Sequence, residues 1–281
     1  MQKKYLTEVV LLTKSYNLTD FQDWLHWHLD IVGFDHCHIF DNESLVDIKS
    51  VCDKYGDKVS YEIVKGWPDQ YNLYNRYINN ESPAWWVLPI DDDEYLYIGD
   101  FFKHSVNNLI LLLQKKWKDM NKLSIGWRNM FPLSFQEKRT SSVIENALGW
   151  SNEACYKLSQ LWRQDNRWVK TFVKMTNNWH WGLPYNGGHN PTIGKTLINS
   201  RTIDGRQFPW DCIMPPCNND QLFIAHFQYK SEEEWAMKCS KRKSAANKTF
   251  DKNKPFVYKE LYKYKDDFKK FDGMLKLWKG Q

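Results

Sequence analysis

Glycine and proline are scarce, 13 and 10 in 281 residues, which excludes collagen-like and low-complexity chains. No apolar run approaches the ~18 residues that a membrane-spanning helix needs; Leu109–Leu113 is one face of a short helix. Val9–Leu12, which follows a basic start, is too short for the apolar centre of a secretory leader. The six cysteines (Cys37, Cys52, Cys155, Cys212, Cys217 and Cys239) are scattered, and without such a leader they read as reduced thiols in a cytoplasmic protein. Cys212 and Cys217 stand five apart with two prolines between them, which does not make a zinc knuckle. Glycine is also missing from Thr13–Asn17, the polar segment after the first apolar run. That excludes the Gly-x-Gly-x-x-Gly turn of a dinucleotide-binding dehydrogenase and argues against the glycine-rich phosphate loop of a sugar nucleotidyltransferase.

Aromatic residues are abundant, with Trp, Tyr and Phe at 15 each. Such side chains fill a core, and they also suit flat ligands such as bases and sugar faces. The net charge of +5 comes from the last 34 residues, where ten lysines face five acids; the rest of the chain is balanced. A neutral body argues against a nucleic-acid enzyme with a cationic surface, so no nucleic-acid partner is expected. The basic, aromatic tail 248–281 reads as a helix packed on the body, with contact to an anionic membrane surface or a partner as the alternative.

Apolar periodicity predicts strands over Glu8–Leu12, His36–Phe40, Val59–Val64 and Trp85–Ile90. Between them it predicts helices from Thr19 or Asp20 to Gly33, over Val46–Tyr55 and over Gln70–Asn79. The alternation implies an α/β fold: a single Rossmann-like, mostly parallel sheet with helices on both faces. Ligands of such sheets bind at the carboxyl ends of the strands, where Thr13–Asn17, Asp41–Ser44 and Asp91–Glu94 all fall. Further on, Phe101–Trp117 reads as a helix, Leu123–Trp127, Trp168–Met175 and Leu222–Phe227 as strands, and 177–190 as a loop. Ser231 and Glu234 form a capping-box pair that starts another helix.

Asp91-Asp92-Asp93-Glu94 carries the chemistry. If the segment is extended, Asp91 and Asp93 share one side and offer hard oxygen ligands to Mg²⁺ or Mn²⁺, with phosphate oxygens completing the shell. His226, late in an apolar strand, is a candidate third ligand. His26-x-His28 and His36-x-His38 read as core residues. Trp127–Phe131 and Trp179–Tyr185 either stack on a sugar acceptor or pack in the interior.

Taken in order, Trp24-Leu-x-Trp27-His28, Gly33-Phe-Asp35, Phe40-Asp-Asn-x-Ser44, Gln70, Asp91-x-Asp93-Glu94-Tyr95 and His226-Phe-x-x-Lys230-Ser231 resemble the GT-A glycosyltransferases of the family 2-like and family 92-like type. The resemblance spans roughly residues 8–242. It departs from the family at Leu18, where a glutamate is usual, and at Asp92, where an aliphatic residue is usual. It implies a GT-A domain over 1–247: a nucleotide-sugar-binding half (1–100), an irregular acceptor-side half (101–247), and the helical tail beyond. It implies sugar transfer from a nucleotide-diphosphate donor of the UDP, GDP or dTDP type to a saccharide hydroxyl, with inversion, and a metal held by Asp91, Asp93 and His226. Thr13, Lys14, Asn17, Asp41, Asn42, Gln70, Arg76, Asp91 and Asp92 are the expected donor contacts. Asp211 and His189 are the alternatives for the general base. A carbohydrate-binding protein on a degenerate transferase fold is the competing reading.

Overall fold

A computed structural model describes residues 3–66, 69–132, 138–145, 147–148, 168–176, 179–181, 191–193, 200–203, 205, 207–208, 220–228, 230–241 and 272–280. They fall into two compact units, Met1–Trp127 with Arg167–Ile224, and Arg128–Asn166 with Ala225–Gln281.

The first unit opens as the sequence predicts: β1 (Tyr5–Thr13), α1 (Leu18–His26), β2 (His36–Asp41), α2 (Lys49–Asp53), β3 (Val59–Ile63), α3 (Gln70–Asn80) and β4 (Ala84–Ile90). Then come β5 (Glu94–Ile98), α4 (Val106–Lys116), β6 (Lys122–Asn129), β7 (Phe131–Pro132), β8 (Ala147–Leu148) and β9 (Val169–Lys174). Five more strands, β10 (Trp179–His180), β11 (Thr192–Ile193), β12 (Ser200–Arg201), β13 (Gln207–Phe208) and β14 (Leu222–His226), precede helices α5 (Glu232–Lys241) and α6 (Gly273–Trp278).

The main sheet has ten strands in the order β13-β12-β6-β9-β4-β1-β2-β3, with β14 pairing to β5 and β6 off this path. β1, β2, β3 and β4 are mutually parallel, whereas β9 runs antiparallel to both β4 and β6. The α/β expectation is borne out, with a mixed sheet. Side chains alternate across β1, and its two sides meet different helices. Val10 packs with Tyr74, Tyr77 and Ile78 of α3 in a cluster that Trp179 and Trp181 close. On the other side, the Thr7 hydroxyl donates to Asn107 Oδ1 of α4 at 2.7 Å.

Local chemistry moves several boundaries. Asn17, not Thr19 or Asp20, caps α1, its Oδ1 accepting the Thr19 and Asp20 N–H groups. After α1 the chain widens into a single π-turn (Trp27–Ile31) and ends at Gly33, whose φ of +77° a side chain would strain. The helix expected over Val46–Tyr55 is confined to Lys49–Asp53, because the Asp47 carboxylate takes the Ser50 N–H and starts it late. The helix expected over Phe101–Trp117 is broken. Lys103 and His104 both hold a left-handed backbone (φ 51° and 54°), and α4 begins only after Ser105.

In the second unit, Arg139 donates to both oxygens of Glu234 at 2.9 and 3.3 Å. Glu234 also takes the Ser231 hydroxyl at 2.7 Å and returns its N–H to Ser231 Oγ, so the capping box is present. Among the described residues no helix is long and apolar enough to cross a membrane. Most of the tail 248–281 lies outside the described residues.

The amino ends of the parallel strands are tied together by a buried acid. Glu8 has no exposed surface; its Oε1 meets His36 Nδ1 at 2.6 Å and the Tyr77 hydroxyl at 2.7 Å, and its Oε2 takes the Ser82 hydroxyl at 2.5 Å. Removing the acceptor strands three buried polar groups at once. Glu8→Ala is therefore expected to lose ~3–5 kcal/mol of stability in denaturant titrations.

Candidate functional site

The carboxylate cluster follows β4 as a tight turn rather than an extended segment. Glu94 N–H donates to the Asp91 carbonyl at 3.1 Å, and Asp91 N–H donates back to Glu94 Oε2 at 2.8 Å. Asp92 and Asp93 occupy the two corners, so the side-to-side alternation expected of a strand does not apply here. Thr13, the last residue of β1, donates its hydroxyl to Asp92 Oδ2 at 2.8 Å. Gln70, the first residue of α3, donates to Asp91 Oδ1 at 3.2 Å and to the Tyr74 hydroxyl at 3.0 Å.

Trp24 of α1 clamps the turn, and Trp27 and His28 of the following π-turn hold β5. Trp24 Nε1–H donates to the carbonyls of Asp91 (3.2 Å) and Glu94 (2.9 Å), and Trp27 Nε1–H donates to that of Leu96 at 2.8 Å. His28 contacts the Trp24 carbonyl through Nδ1 at 2.8 Å and accepts the Leu96 N–H on Nε2 at 3.3 Å. Accepting on Nε2 needs the neutral ring with its proton on Nδ1, and burial lowers its pKa to about 3. His28 and His36 are core residues, as their sequence context suggests. His38 is too: it stacks on Tyr77 at 3.7 Å between ring centres, and burial lowers its pKa to about 3. His26, read the same way, is instead exposed and meets Asp30 at 2.9 Å.

Lys170, on β9, is the cation of the site. Its Nζ lies 2.9 Å from Asp91 Oδ2 and 3.2 Å from Glu94 Oε2, with 5% of the side chain exposed. Burial works against the ammonium, but Asp91 and Glu94 outweigh it and raise its pKa. Glu94 is wholly buried, and burial pushes its pKa up to about 8 against the pull of Lys170. Its Oε1 has no hydrogen-bond partner, so the ionised form is poorly solvated.

The second rim loop follows β2. Asp41 Oδ1 accepts the Ser44 N–H at 2.8 Å, and Oδ2 accepts the Tyr61 hydroxyl. Asn42 gives its amide to the carbonyls of Val64 and Gly66, while Ser44 Oγ accepts the Ser15 N–H at 2.8 Å. Asp41 and Asn42 thus shape the loop that lies beside Thr13–Asn17. Lys14 is half-buried in that segment, and Asn17 is engaged as the α1 cap.

The structure gathers Thr13, Gln70, Asp91 and Asp92. Arg76, expected beside them, instead grips Glu62 at 2.6 and 2.8 Å and Glu81 at 3.3 Å. Asp93 is buried at the turn corner. His226 belongs to the second unit, where its Nδ1 lies 3.0 Å from Asn129 Oδ1. Among the described residues no group of three or more His, Cys, Asp or Glu side chains is placed to hold a metal. Asp211 and His189 lie outside the described residues. Trp127, Phe131, Trp179 and Trp181 are buried, so of the two readings of these aromatics, packing is the observed one. Sequence reasoning missed Lys170, whose one signal is a charge among the apolar residues of β9.

Two consequences are measurable. Lys170→Met leaves the buried Glu94 carboxyl and the partly exposed Asp91 carboxyl without their cation, and is expected to cost ~1–3 kcal/mol in denaturant melts. Glu94 binds its proton more tightly in the folded chain than at its ordinary value of 4.5, so its contribution is complete below that pH and disappears as pH rises to about 8. Glu94→Gln should accordingly melt above the wild type at pH 8 by a margin that shrinks toward pH 5.

No family model matches the chain, and no curated protein matches it in sequence. Partial likenesses to solved structures include Staphylococcus aureus TarS 1–349 in complex with UDP, at 13% identity and a TM-score of 0.32 over 48% of this chain and 38% of that one. A second is 4-diphosphocytidyl-2C-methyl-D-erythritol synthase from Anaerococcus prevotii (11%, TM-score 0.29, 49% and 57%). A third is a putative glucose-1-phosphate thymidylyltransferase from Bacillus anthracis in complex with a sucrose (8%, TM-score 0.29, 47% and 61%). The matched region spans less than two thirds of each of these chains.

Proposed function

We propose that this chain is a glycosyltransferase that takes a sugar from a nucleotide-diphosphate donor and passes it to a saccharide hydroxyl. The observation that carries the reading is where the acidic turn lies. The chain runs from β1 outward to β2 and β3, then returns to place β4 on the other side of β1. Between β1 and β4 the connections diverge to opposite sides, which opens a crevice at the carboxyl ends of the strands. Thr13 and Asp92 meet at the mouth of that crevice, beside Gln70 and Asp91.

Each residue has a role in this reading. Gln70 and the Asp41–Ser44 loop supply polar groups for a base and ribose, and Thr13 fixes the direction of Asp92. Lys170 fixes the direction of the Asp91 carboxylate. Mg²⁺ or Mn²⁺ fits the turn by donor chemistry, since carboxylate oxygens are hard ligands, but Asp91 already carries an ammonium. Asp93 would hold the cation, with Asp91 shared between it and Lys170. When bound, such a cation offsets the charge of the departing diphosphate. The carbohydrate-binding alternative rested on aromatic platforms, and the tryptophans described in those segments are interior.

Quenching of tryptophan fluorescence by UDP, GDP and dTDP, each with and without Mn²⁺, tests donor binding. Nucleotide release from a panel of donor sugars tests transfer. Asp93→Ala is expected to lower release ~10²-fold or more. Equal release by the two proteins removes Asp93 from the mechanism, and no response to any nucleotide removes the donor.

A further inference from the structure

A face of the first unit that follows β5 displays large apolar side chains to solvent. Phe101 is 73% exposed, Leu111 54% and Leu112 46%. Phe101 and Leu112 border a groove of about 630 Å³ whose walls include Phe102 and Ile203, with Lys115 and Lys116 also lining it. An apolar patch of this kind marks a surface that meets something less polar than water.

The exposure of Phe101 is built in. It sits on a one-turn 3-10 helix (Asp100–Phe102) followed by two successive non-glycine residues in the left-handed region, Lys103 and His104. The turn is tied down by Phe101 N–H to Gln221 Oε1 (3.2 Å), Gly99 N–H to the Gln221 carbonyl (2.7 Å) and His104 Nδ1 at the Ile98 carbonyl (2.8 Å). A strained backbone held by this many bonds, with an aromatic ring at its tip, points to a function for the ring.

Charge identifies the counterpart. On a helix, residues three and four apart are neighbours, so Lys115 and Lys116 stand one turn beyond Leu112 on the same face. Lys103 and Lys118 are exposed as well. Among the described acids nearby, Asp100 meets His104 Nε2 at 2.9 Å and Asp119 meets Arg201 at 2.9 Å, while Asp220 is exposed beside Gln221. Lysine stems can lie along an apolar surface while their ammonium groups reach outward to phosphate oxygens. Apolar side chains flanked by Lys115 and Lys116 match the acyl boundary and headgroups of an anionic bilayer.

We infer that the face formed by Phe101, Leu111, Leu112, Lys115 and Lys116 docks the protein on an anionic lipid surface. This surface is separate from the donor site, so it stands whether or not that activity is found. The test is co-sedimentation of the full chain with vesicles of phosphatidylcholine alone and of phosphatidylcholine containing about a third phosphatidylglycerol. Binding to the anionic vesicles and not the neutral ones, weakened by salt, is expected. Lys115→Gln with Lys116→Gln should weaken it ~25-fold, roughly fivefold for each charge removed. Phe101→Ser with Leu112→Ser should weaken it at least ~10-fold. Because all four side chains face solvent, unchanged circular dichroism is expected of both variants. Undiminished binding by both variants assigns the contact elsewhere, the basic tail included, and overturns the inference. So does equal binding to neutral vesicles, no binding at all, or a dimer by light scattering that the same substitutions dissolve.

Discussion

One buried ammonium holds the acidic rim in place. Four consecutive acids at a strand end repel one another and resist burial, yet Glu94 is fully buried and Asp93 nearly so. Lys170 resolves the conflict by lying between Asp91 and Glu94. Its position follows from sheet topology. β9 runs antiparallel beside β4, with Trp86 opposite Lys174 and Val87 opposite Val173. Continuing that register brings Lys170 level with the end of β4, where the turn begins. A parallel strand in that place would enter the sheet from the other end, with its last residues at the turn.

The aromatic residues act mainly through their polar edges. Trp24 and Trp27 each bury a large ring and spend an indole N–H on backbone carbonyls of the turn and β5. Asn75 and Asn79 of α3 pair with the backbone of Trp181 and Trp179 in the manner of a strand, each asparagine both donating and accepting. An indole so placed combines core area with a directed hydrogen bond. Trp24 and Trp27 thus fix irregular backbone next to a regular sheet.

Much of this was legible in the sequence. Apolar runs located the parallel strands, and the polar segments after β1, β2 and β4 marked the rim on which Thr13, Gln70, Asp91 and Asp92 meet. The unreadable parts depend on interactions that leave no period. The Asp91–Glu94 turn closes through a side chain bonding its own backbone, and strand alternation cannot register that. Lys103 and His104 take a conformation that glycine normally occupies, so nothing in their identity announces the break before α4. Arg76 shares α3 with Gln70, but Glu62 and Glu81 claim it, a choice made by tertiary neighbours. Lys170 is one of two lysines in β9, and only the strand order reveals what it faces.

The sequence separation of Asp91 and Lys170 has a consequence for biogenesis. The acid emerges from the ribosome 79 residues ahead of its counter-charge, an interval of roughly 4–16 s at ordinary elongation rates. During that time the parallel strands can assemble while the acidic segment stays in water, because no ammonium yet exists to bring it inside. The nascent chain therefore finishes this edge of its sheet only after β9 is made, and translation itself sets the order in which scaffold and rim mature.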